Sequence, residues 1–585
     1  MMFISYQIKN KKRIPMKKNK IAILIGISFL ALSSCSKSFL EKVPQGQLSD
    51  PQVVSSEGVE GLLIGAYALL NGNQDGTWGN YGSAPSQWLF GEVASDNAHK
   101  GSDGTDQPNM NLIEVYQPTS TNDNLSVLWT RYYEGIARCN NTLRVLAADQ
   151  AGGQTVSAER AAQIQAEARM LRAHYYFFLV RVFKNIPYVD ENTPADEAKT
   201  KPNDTDVYPM ILADLQFAVE NLPLEKINGQ VGRVDKMAAE AYLGKVLLYQ
   251  KQYAEALQHF TTVLTGKDIT AMPYQDNFDV TTENGPESIF AVQHAISPDG
   301  TGDNANVGDM LSGLYGTSPV GCCGFFQPSI DLVNAFKVDA NGLPYLDGSY
   351  RTDPYVSDFG LSGSAKTNYS LNVNLRFDPR LDYTVGRRGV PYLDYGVMPG
   401  DPWIRLASYA GPFVGKKNQV PVAQFPSHTV SGAAYINDLN VNLIRLADVV
   451  LMAAECQVEL GNLGEALRLV NAVRARAATI PPITIGETPA ANYDVKPYPS
   501  FPSVEYARNA VRFERRLELA MEGHRFFDLV RWGVAKEVLE SYSGFEGGFL
   551  QSYRNLTFNP RNEYFPIPQD QIDQSSGTLK QNEGY

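Results

Sequence analysis

The stretch Ala238-Ala-Glu-Ala-Tyr-Leu243-Gly244-Lys-Val-Leu-Leu-Tyr249-Gln-Lys-Gln-Tyr253-Ala-Glu-Ala256-Leu-Gln-His-Phe260 decides how the chain folds. Its apolar residues recur at spacings of three and four, the signature of helices with one buried face, and the polar break Gln250-Lys-Gln252 divides two arms. Gly244 and Ala256 are small where two such arms would cross. A second copy begins near Leu443, with Leu446-Ala-x3-Leu451-Met-Ala-Ala-Glu455, turn residues Leu460-Gly461-Asn462, and Gly464-Glu-Ala466-Leu-x2-Val470.

Both copies match the helix-turn-helix unit of tetratricopeptide (TPR) repeats. Two units some 200 residues apart do not make a continuous solenoid, and predict helical hairpins stacked in space with large insertions between them. Ala166 to Phe183 reads as a further long helix, with Pro187 marking its stop. Residues 73–124 and 270–440 are the insertions, rich in Gly, Pro, Asn, Asp, Ser and aromatics, with short strand-like runs such as Ser288-Ile-Phe-Ala-Val-Gln293. Loops this long inside a compact domain are usually functional. The expectation is a mainly α fold in which helices are scaffold and insertions are working surface.

The 585 residues are 43 % hydrophobic and 19 % charged, which excludes disorder and coiled coil. Lys9, Lys11, Lys12, Arg13, Lys17, Lys18 and Lys20 precede an apolar run from Ile21 to Leu32 that ends in Leu32-Ser33-Ser34-Cys35. Residues 1–34 read as a signal peptide, with Met16 an alternative start, because the run is too short to span a bilayer. The Leu-x-x-Cys ending resembles a bacterial lipobox, which makes Cys35 the lipidation site and anchors a folded domain of residues 35–585. Without the first 34 residues, 44 basic residues face 63 acidic ones, so nucleic acid and anionic lipid are poor partners.

Of the other cysteines, Cys139 and Cys456 lie in apolar helical patterns and read as core residues. Cys322 and Cys323 are adjacent within Gly-Cys-Cys-Gly, either free thiols or a vicinal disulfide stiffening a loop tip. No Cys/His spacing suits zinc, and neither a cofactor nor a metal is expected. Gly-x-Ser-x-Gly, a Walker phosphate loop and His-Glu-x-x-His are absent from the sequence. Gly300-Thr-Gly302-Asp-Asn-Ala305 fits a dinucleotide fingerprint loosely but reads as an ordinary loop. Glu514, Glu518 and Glu522 share one helix face. A glycosidase would use two as acid and base, but arginines close by in sequence favour a lattice of ion pairs. His174 and His259 read as packing residues.

That lattice belongs to Glu514-Arg-Arg-Leu-Glu518-Leu-Ala-Met-Glu522-Gly-His-Arg-Phe-Phe-Asp528-Leu-Val-Arg531-Trp-Gly533, followed by Phe565-Pro-Ile-Pro568 and the terminal Lys580-Gln-Asn-Glu-Gly-Tyr585. The set resembles the SusD/RagB family of outer-membrane lipoproteins from Bacteroidetes. Phe39-Leu40, Gly91-Glu-x3-Asp96, Trp129-x3-Tyr133-x2-Ile136-x3-Asn140, Arg169-x2-Arg172-Ala173, Gly232-Arg233, Glu287-Ser-Ile-Phe290 and Asp378-Pro-Arg380 extend the resemblance over residues 35–585. It implies a TPR-like superhelix with an irregular ligand-binding face. It also implies a role without catalysis: a lid over a SusC-like TonB-dependent transporter that captures oligosaccharides and hands them inward. The RagB branch implies peptides as the alternative ligand. Surface-exposed members often carry acidic residues after the cysteine, where this chain has Ser36-Lys37-Ser38. The resemblance therefore carries the anchor further than the outward orientation.

Sugar rings present C–H faces to flat aromatic rings, while Asp and Asn reach their hydroxyls. In Gly72-Asn-Gln-Asp-Gly-Thr-Trp78-Gly-Asn-Tyr81-Gly, glycines leave Trp78 and Tyr81 uncovered, and Tyr315, Phe325 and Phe326 surround the Cys322-Cys323 turn. The family's aromatic arc, carried onto this chain, comprises these five rings, with Asp96 and Asn97 as hydrogen-bonding candidates. Any of the rings could instead pack into the scaffold. Trp88, Trp129 and Trp532 read as core, and Trp403 as either.

Overall fold

The computed structural model describes residues 53–72 and 80–585, and residues 54–585 form one compact unit. Cys35, the segment 1–34 and Trp78 lie outside the described residues.

Helices α1 (Ser56–Ala68), α2 (Asp123–Ala151), α3 (Ala158–Phe183) and α4 (Tyr208–Asn221) lead into α5 (Lys236–Tyr249) and α6 (Tyr253–Leu264). The second hairpin is α7 (Leu446–Glu459) and α8 (Leu463–Ala477), followed by α9 (Val504–Glu518), α10 (Arg525–Arg531) and α11 (Ala535–Glu546). Each helix packs on the next from α1 to α8, and α9 packs on α7 and α8. The stack therefore runs without a break from α6 to α7, although about 180 residues separate them in sequence. Side-chain caps start several helices where the sequence supplies them: Ser157 accepts from Arg160 N, Asp235 from Ala238 N, and Ser503 from Tyr506 N. Gly244 is required by the crossing of α5 and α6, since a Cβ there would stand 2.6 Å from the Phe260 ring.

The strand-like run predicted near Ser288 is β2 (Ser288–Val292), where β1 is Ala98–Gly101, β3 Phe325–Pro328, β4 Ala433–Asn437 and β5 Val441–Arg445. β2 pairs antiparallel with β5, Ser288 opposite Arg445 and Val292 opposite Val441. β5 runs directly into α7. The ladder thus closes the second insertion at its base, and the insertion emerges from one side of the helical stack. His174 and His259 pack as expected, their Nδ1 atoms 2.8 Å from the Tyr242 hydroxyl and 2.6 Å from Glu240. Cys139 and Cys456 are buried.

The single helix face expected for Glu514, Glu518 and Glu522 is corrected: α9 ends at Glu518, and Glu522 lies in the turn before α10. All three carboxylates still enter the anticipated ion-pair lattice, but with partners remote in sequence. Glu518 accepts from Arg380 at 2.9 Å, from Arg445 at 2.8 Å and from Arg476. Glu514 meets Arg474 at 2.9 Å and Arg380 at 2.7 Å, and Glu522 meets Arg445 and Lys417 at 2.7 and 2.5 Å. Glu287, beside β2, joins through Arg445 at 2.6 Å and through Arg476, and Asp378 pairs with Arg380 at 2.7 Å. Arg515 and Arg516, the sequence neighbours, instead reach Asp448 and Asp528, and Asp96 and Asp331. Five cations thus face five carboxylates in an almost dry space. Burial alone would raise the Glu518 carboxyl, yet Arg476, Arg445 and Arg380 hold it well below its ordinary value. No oxygen pair here is left to act as a glycosidase acid and base, because guanidinium groups occupy both ends of Glu518 and Glu522.

A second charged node is His99 on β1. Nε2 lies 2.9 Å from Glu546 of α11, and Nδ1 lies 3.3 Å from Glu114 and 2.6 Å from the Tyr553 hydroxyl. Burial opposes the imidazolium, but Glu114 and Glu546 outweigh it and raise His99 to about 9.

Two outcomes are expected. Arg445→Met, which leaves three buried carboxylates short of a partner, lowers unfolding free energy by about 3–5 kcal/mol in denaturant titrations. An unchanged midpoint would show that the lattice does not hold the fold. For His99, the unfolded value of about 6.5 lies below the folded one. Its stabilisation is therefore complete below about pH 6.5 and fades as pH rises through about 9. His99→Gln should remove that slope from a melting-temperature profile between pH 6 and 10, and a persisting slope would assign it elsewhere.

Candidate functional site

The face built by the two insertions begins at the antiparallel ladder of β1 and β3, where Gly101 lies opposite Phe325 and Ala98 opposite Pro328. Upstream of β3, Cys322 and Cys323 are joined by a disulfide, each half-buried at the surface. The loop is clamped from behind: the N–H groups of Cys323 and Gly324 both donate to the carbonyl of Gly313 at 2.8 Å. Gly321 N–H donates to Ser318 Oγ at 3.0 Å. Gly313 has to be glycine, since a Cβ there would stand 2.1 Å from the Cys322 carbonyl and 2.9 Å from the Tyr435 Cβ.

Around this loop stand three half-buried tyrosines. Tyr315 is fixed by its N–H to the Trp403 carbonyl at 3.1 Å, and the Arg405 guanidinium lies 5.5 Å from its ring centroid. Arg405 is neutralised by Asp103 at 2.9 Å and Asp106 at 2.6 Å. Tyr435 comes from β4, between half-buried Ala434 and buried Ile436, and is half-buried itself. Tyr81 opens a single helical turn, and burial, with Asp106 and Tyr435 nearby, raises its hydroxyl above the ordinary value. The structure thus groups Tyr81, Tyr315, Cys322 and Cys323 from the sequence candidates and adds Tyr435, Arg405 and Asp106. Nothing in Ala433-Ala-Tyr-Ile-Asn437 singles Tyr435 out in the sequence.

Four candidates are corrected. Phe325 and Phe326 are each 2 % exposed, because both faces of the short β1–β3 ladder are covered. Phe326 packs 5.6 Å from Trp88, and Phe325 lies beneath the Lys100 ammonium at 5.3 Å. Neither offers a ring to a ligand. Asp96 is buried and accepts from Arg525 at 2.8 and 3.0 Å. Burial would raise its carboxyl, but Arg516 and Arg525 hold it far below its ordinary value. Asn97 is buried between Arg516, 2.9 Å away, and Glu92, 2.8 Å away. Both residues tie β1 to the C-terminal helices. Trp403, open at the sequence level, is core, packed on Tyr392 and Tyr395. Trp88 and Trp129 are also core, whereas Trp532 is half-buried. The loop at Gly300 is an ordinary turn, with Thr301 N–H donating to Asp299 at 3.1 Å.

Among the described residues, no group of three or more His, Cys, Asp or Glu side chains converges as metal ligands would, and no helix is long and apolar enough to cross a membrane. This face presents flat rings, a compact apolar disulfide and neutralised polar groups. Such a surface holds ring-shaped ligands by contact and hydrogen bonding.

Comparison with known proteins agrees with this architecture. Residues 38–248 match a family described as starch-binding, associating with outer membrane. A SusD-like protein of Bacteroides ovatus is 25 % identical over 538 residues, which cover 88 % of this chain and 82 % of that protein. A laminarin binding SusD-like protein shares the fold with a TM-score of 0.63 at 24 % identity, over 91 % of this chain and all of its own. Surface glycan-binding protein A from Bacteroides thetaiotaomicron, solved in complex with laminarihexaose, does so with a TM-score of 0.62 at 20 % identity, over 90 % and 99 %. The α9–α10 lattice, the β2–β5 closure and the C-terminal segment all fall within residues 286–585, which match the SusD family itself, and the chain belongs to that family.

Proposed function

We propose that this protein is a glycan receptor, which binds an oligosaccharide or polysaccharide on the face formed by Tyr81, Tyr315, Tyr435 and the Cys322–Cys323 loop. The observation that carries this reading is the grouping of three half-buried tyrosines around a backbone-clamped loop. Rings held in place before binding lose little rotamer freedom when a sugar stacks on them. The description of one matching family as starch-binding and the laminarin and laminarihexaose ligands of two fold relatives support a carbohydrate. Trp78, outside the described residues, remains a candidate for the same arc through its glycine-flanked position next to Tyr81.

The remainder of the reading rests on the sequence. Residues 1–34 direct export, and Cys35 carries the lipid that tethers the single domain 35–585 to the outer membrane, facing outward. The bound glycan passes to a SusC-like TonB-dependent transporter without chemical change. The buried, arginine-bound carboxylates of α9 support a role without catalysis, because they offer no free acid or base.

Titration calorimetry of the chain without its first 35 residues, against laminarin, starch, other polysaccharides and peptide mixtures, tests this. Binding to one glycan class is expected. Tyr315→Ala and Tyr435→Ala should each weaken it several-fold, as loss of about 0.5–1.5 kcal/mol of ring contact implies. Tyr315→Ala should leave the melting temperature unchanged, whereas Tyr435→Ala, which also removes a contact with the core, should lower it modestly. Heat from peptides alone would replace the glycan with a peptide ligand, and release of reducing sugar would overturn the non-catalytic role.

A further inference from the structure

A separate cleft of about 330 Å³ opens between α9, α11 and the loop preceding Arg351. Asn509, Arg512, Phe513 and Arg516 line it at helical spacings from one face of α9. It lies beyond the Asp96 end of β1, whereas the Cys322–Cys323 loop precedes β3 at the opposite end of the ladder.

Four guanidinium groups border this cleft, and three are spoken for. Arg525 is bound by Asp96, Arg516 by Asp331 at 2.8 Å and by Asn97, and Arg351 by Asp331 at 2.6 Å and the Ser541 hydroxyl at 2.6 Å. Arg512 differs. Its Nε is buried without a hydrogen-bond partner, and among the described residues no carboxylate pairs with it. Its guanidinium lies 4.9 Å from the Trp532 ring centroid. The two carboxylates nearest in charge are engaged elsewhere, Glu455 by Arg531 at 2.5 and 2.8 Å and Glu459 by Arg508 at 2.7 and 2.9 Å. Burial lowers Arg512 from its ordinary value; Glu455 and Glu459 oppose the shift from a distance and Arg508 and Arg531 add to it. Asp347 at the rim is turned to its own loop, accepting from Ser349 N–H at 3.0 Å and Oγ at 2.6 Å. Glu537 at the rim is exposed.

A guanidinium remains protonated and presents a planar fork that fits a carboxylate or sulfate with two parallel hydrogen bonds. The cleft offers room beyond a bare ion, the apolar wall of Phe513, and the amide of Asn509 for hydroxyl groups. We propose that this cleft is a second binding site, for an acidic sugar unit whose carboxylate or sulfate is gripped by Arg512. Its position in a chain of strong net negative charge makes it a local sink for an anion that the rest of the surface repels.

The test is titration of the chain lacking its first 35 residues with glucuronate, with glucose 6-sulfate, with glucose and with inorganic sulfate, followed by NMR or calorimetry. At least one acidic sugar should bind at millimolar concentration while glucose does not, and comparison of the first two arms tells carboxylate from sulfate ester. Arg512→Gln should weaken that binding at least tenfold, and Arg512→Lys, which keeps the charge but not the fork, should fall between. Removing an unpaired charge should leave the melting temperature of Arg512→Gln unchanged or raised. Should Arg512→Gln fail to fold, the lysine variant decides alone. Equal binding of glucose and glucuronate, binding of inorganic sulfate only, or acidic-sugar affinity indifferent to both substitutions would overturn the site.

Discussion

The buried exchange of charge around Glu518 is the constraint on which the rest of the molecule depends. Three arginines converge on one carboxylate from three parts of the chain: Arg380 from the second insertion, Arg445 from the strand that starts α7, and Arg476 from α8. A charge taken out of water costs several kcal/mol unless it is met by good geometry, so each of these segments has one place to be. Hydrophobic packing of the helices fixes the stack, but a greasy face tolerates small slips and a set of five matched pairs does not. The lattice thus converts a helical pile into a frame with defined coordinates for the insertion attached to it.

The proposed ligand face inherits that definition at second hand. Lys417 of the insertion is bound to Glu522, and Asp378 and Arg380 of the insertion enter the lattice itself. On the other insertion, Asp96 is gripped by Arg516 and Arg525. The Cys322–Cys323 loop, backed by Gly313, therefore stands between two segments that are each moored to the helices of the C-terminal half. A receptor that relies on ring stacking gains from such mooring, because ordering a ring at the moment of binding would consume much of what stacking contributes.

The helices were legible in the sequence because a period of 3.6 repeats over many residues and small residues mark crossings, as at Gly244. The direct contact of α6 with α7 was not, since nothing local records which of two distant hairpins will meet. The lattice was legible as a composition of charges and illegible as a set of partners. Glu518 bypasses the arginines beside it for ones 42 to 138 residues away, because Arg515 is taken by Asp448 and Asp528 and Arg516 by Asp96 and Asp331. Phe325 and Phe326 failed as site residues for a related reason. An aromatic pair after a glycine turn reads as a loop tip, and only the pairing of β3 with β1, across more than 220 residues, buries both rings. Tyr435 escaped notice because a half-buried tyrosine in a short strand looks the same in sequence whether its free edge meets water or ligand.

The short ladder of β2 and β5 has a consequence for how such a protein can change over generations. By bringing residues 292 and 441 together at the edge of the helices, it makes almost 150 residues a closed excursion whose ends do not move. The entropy of closing such an excursion grows only with the logarithm of its length, about 0.6 kcal/mol for each doubling. Segments beyond the ladder that take no part in the lattice can thus lengthen, shorten or be rewritten at little expense to the stack. The arrangement separates inheritance of the frame from variation of the surface it carries, so one scaffold can present a new surface without being refolded.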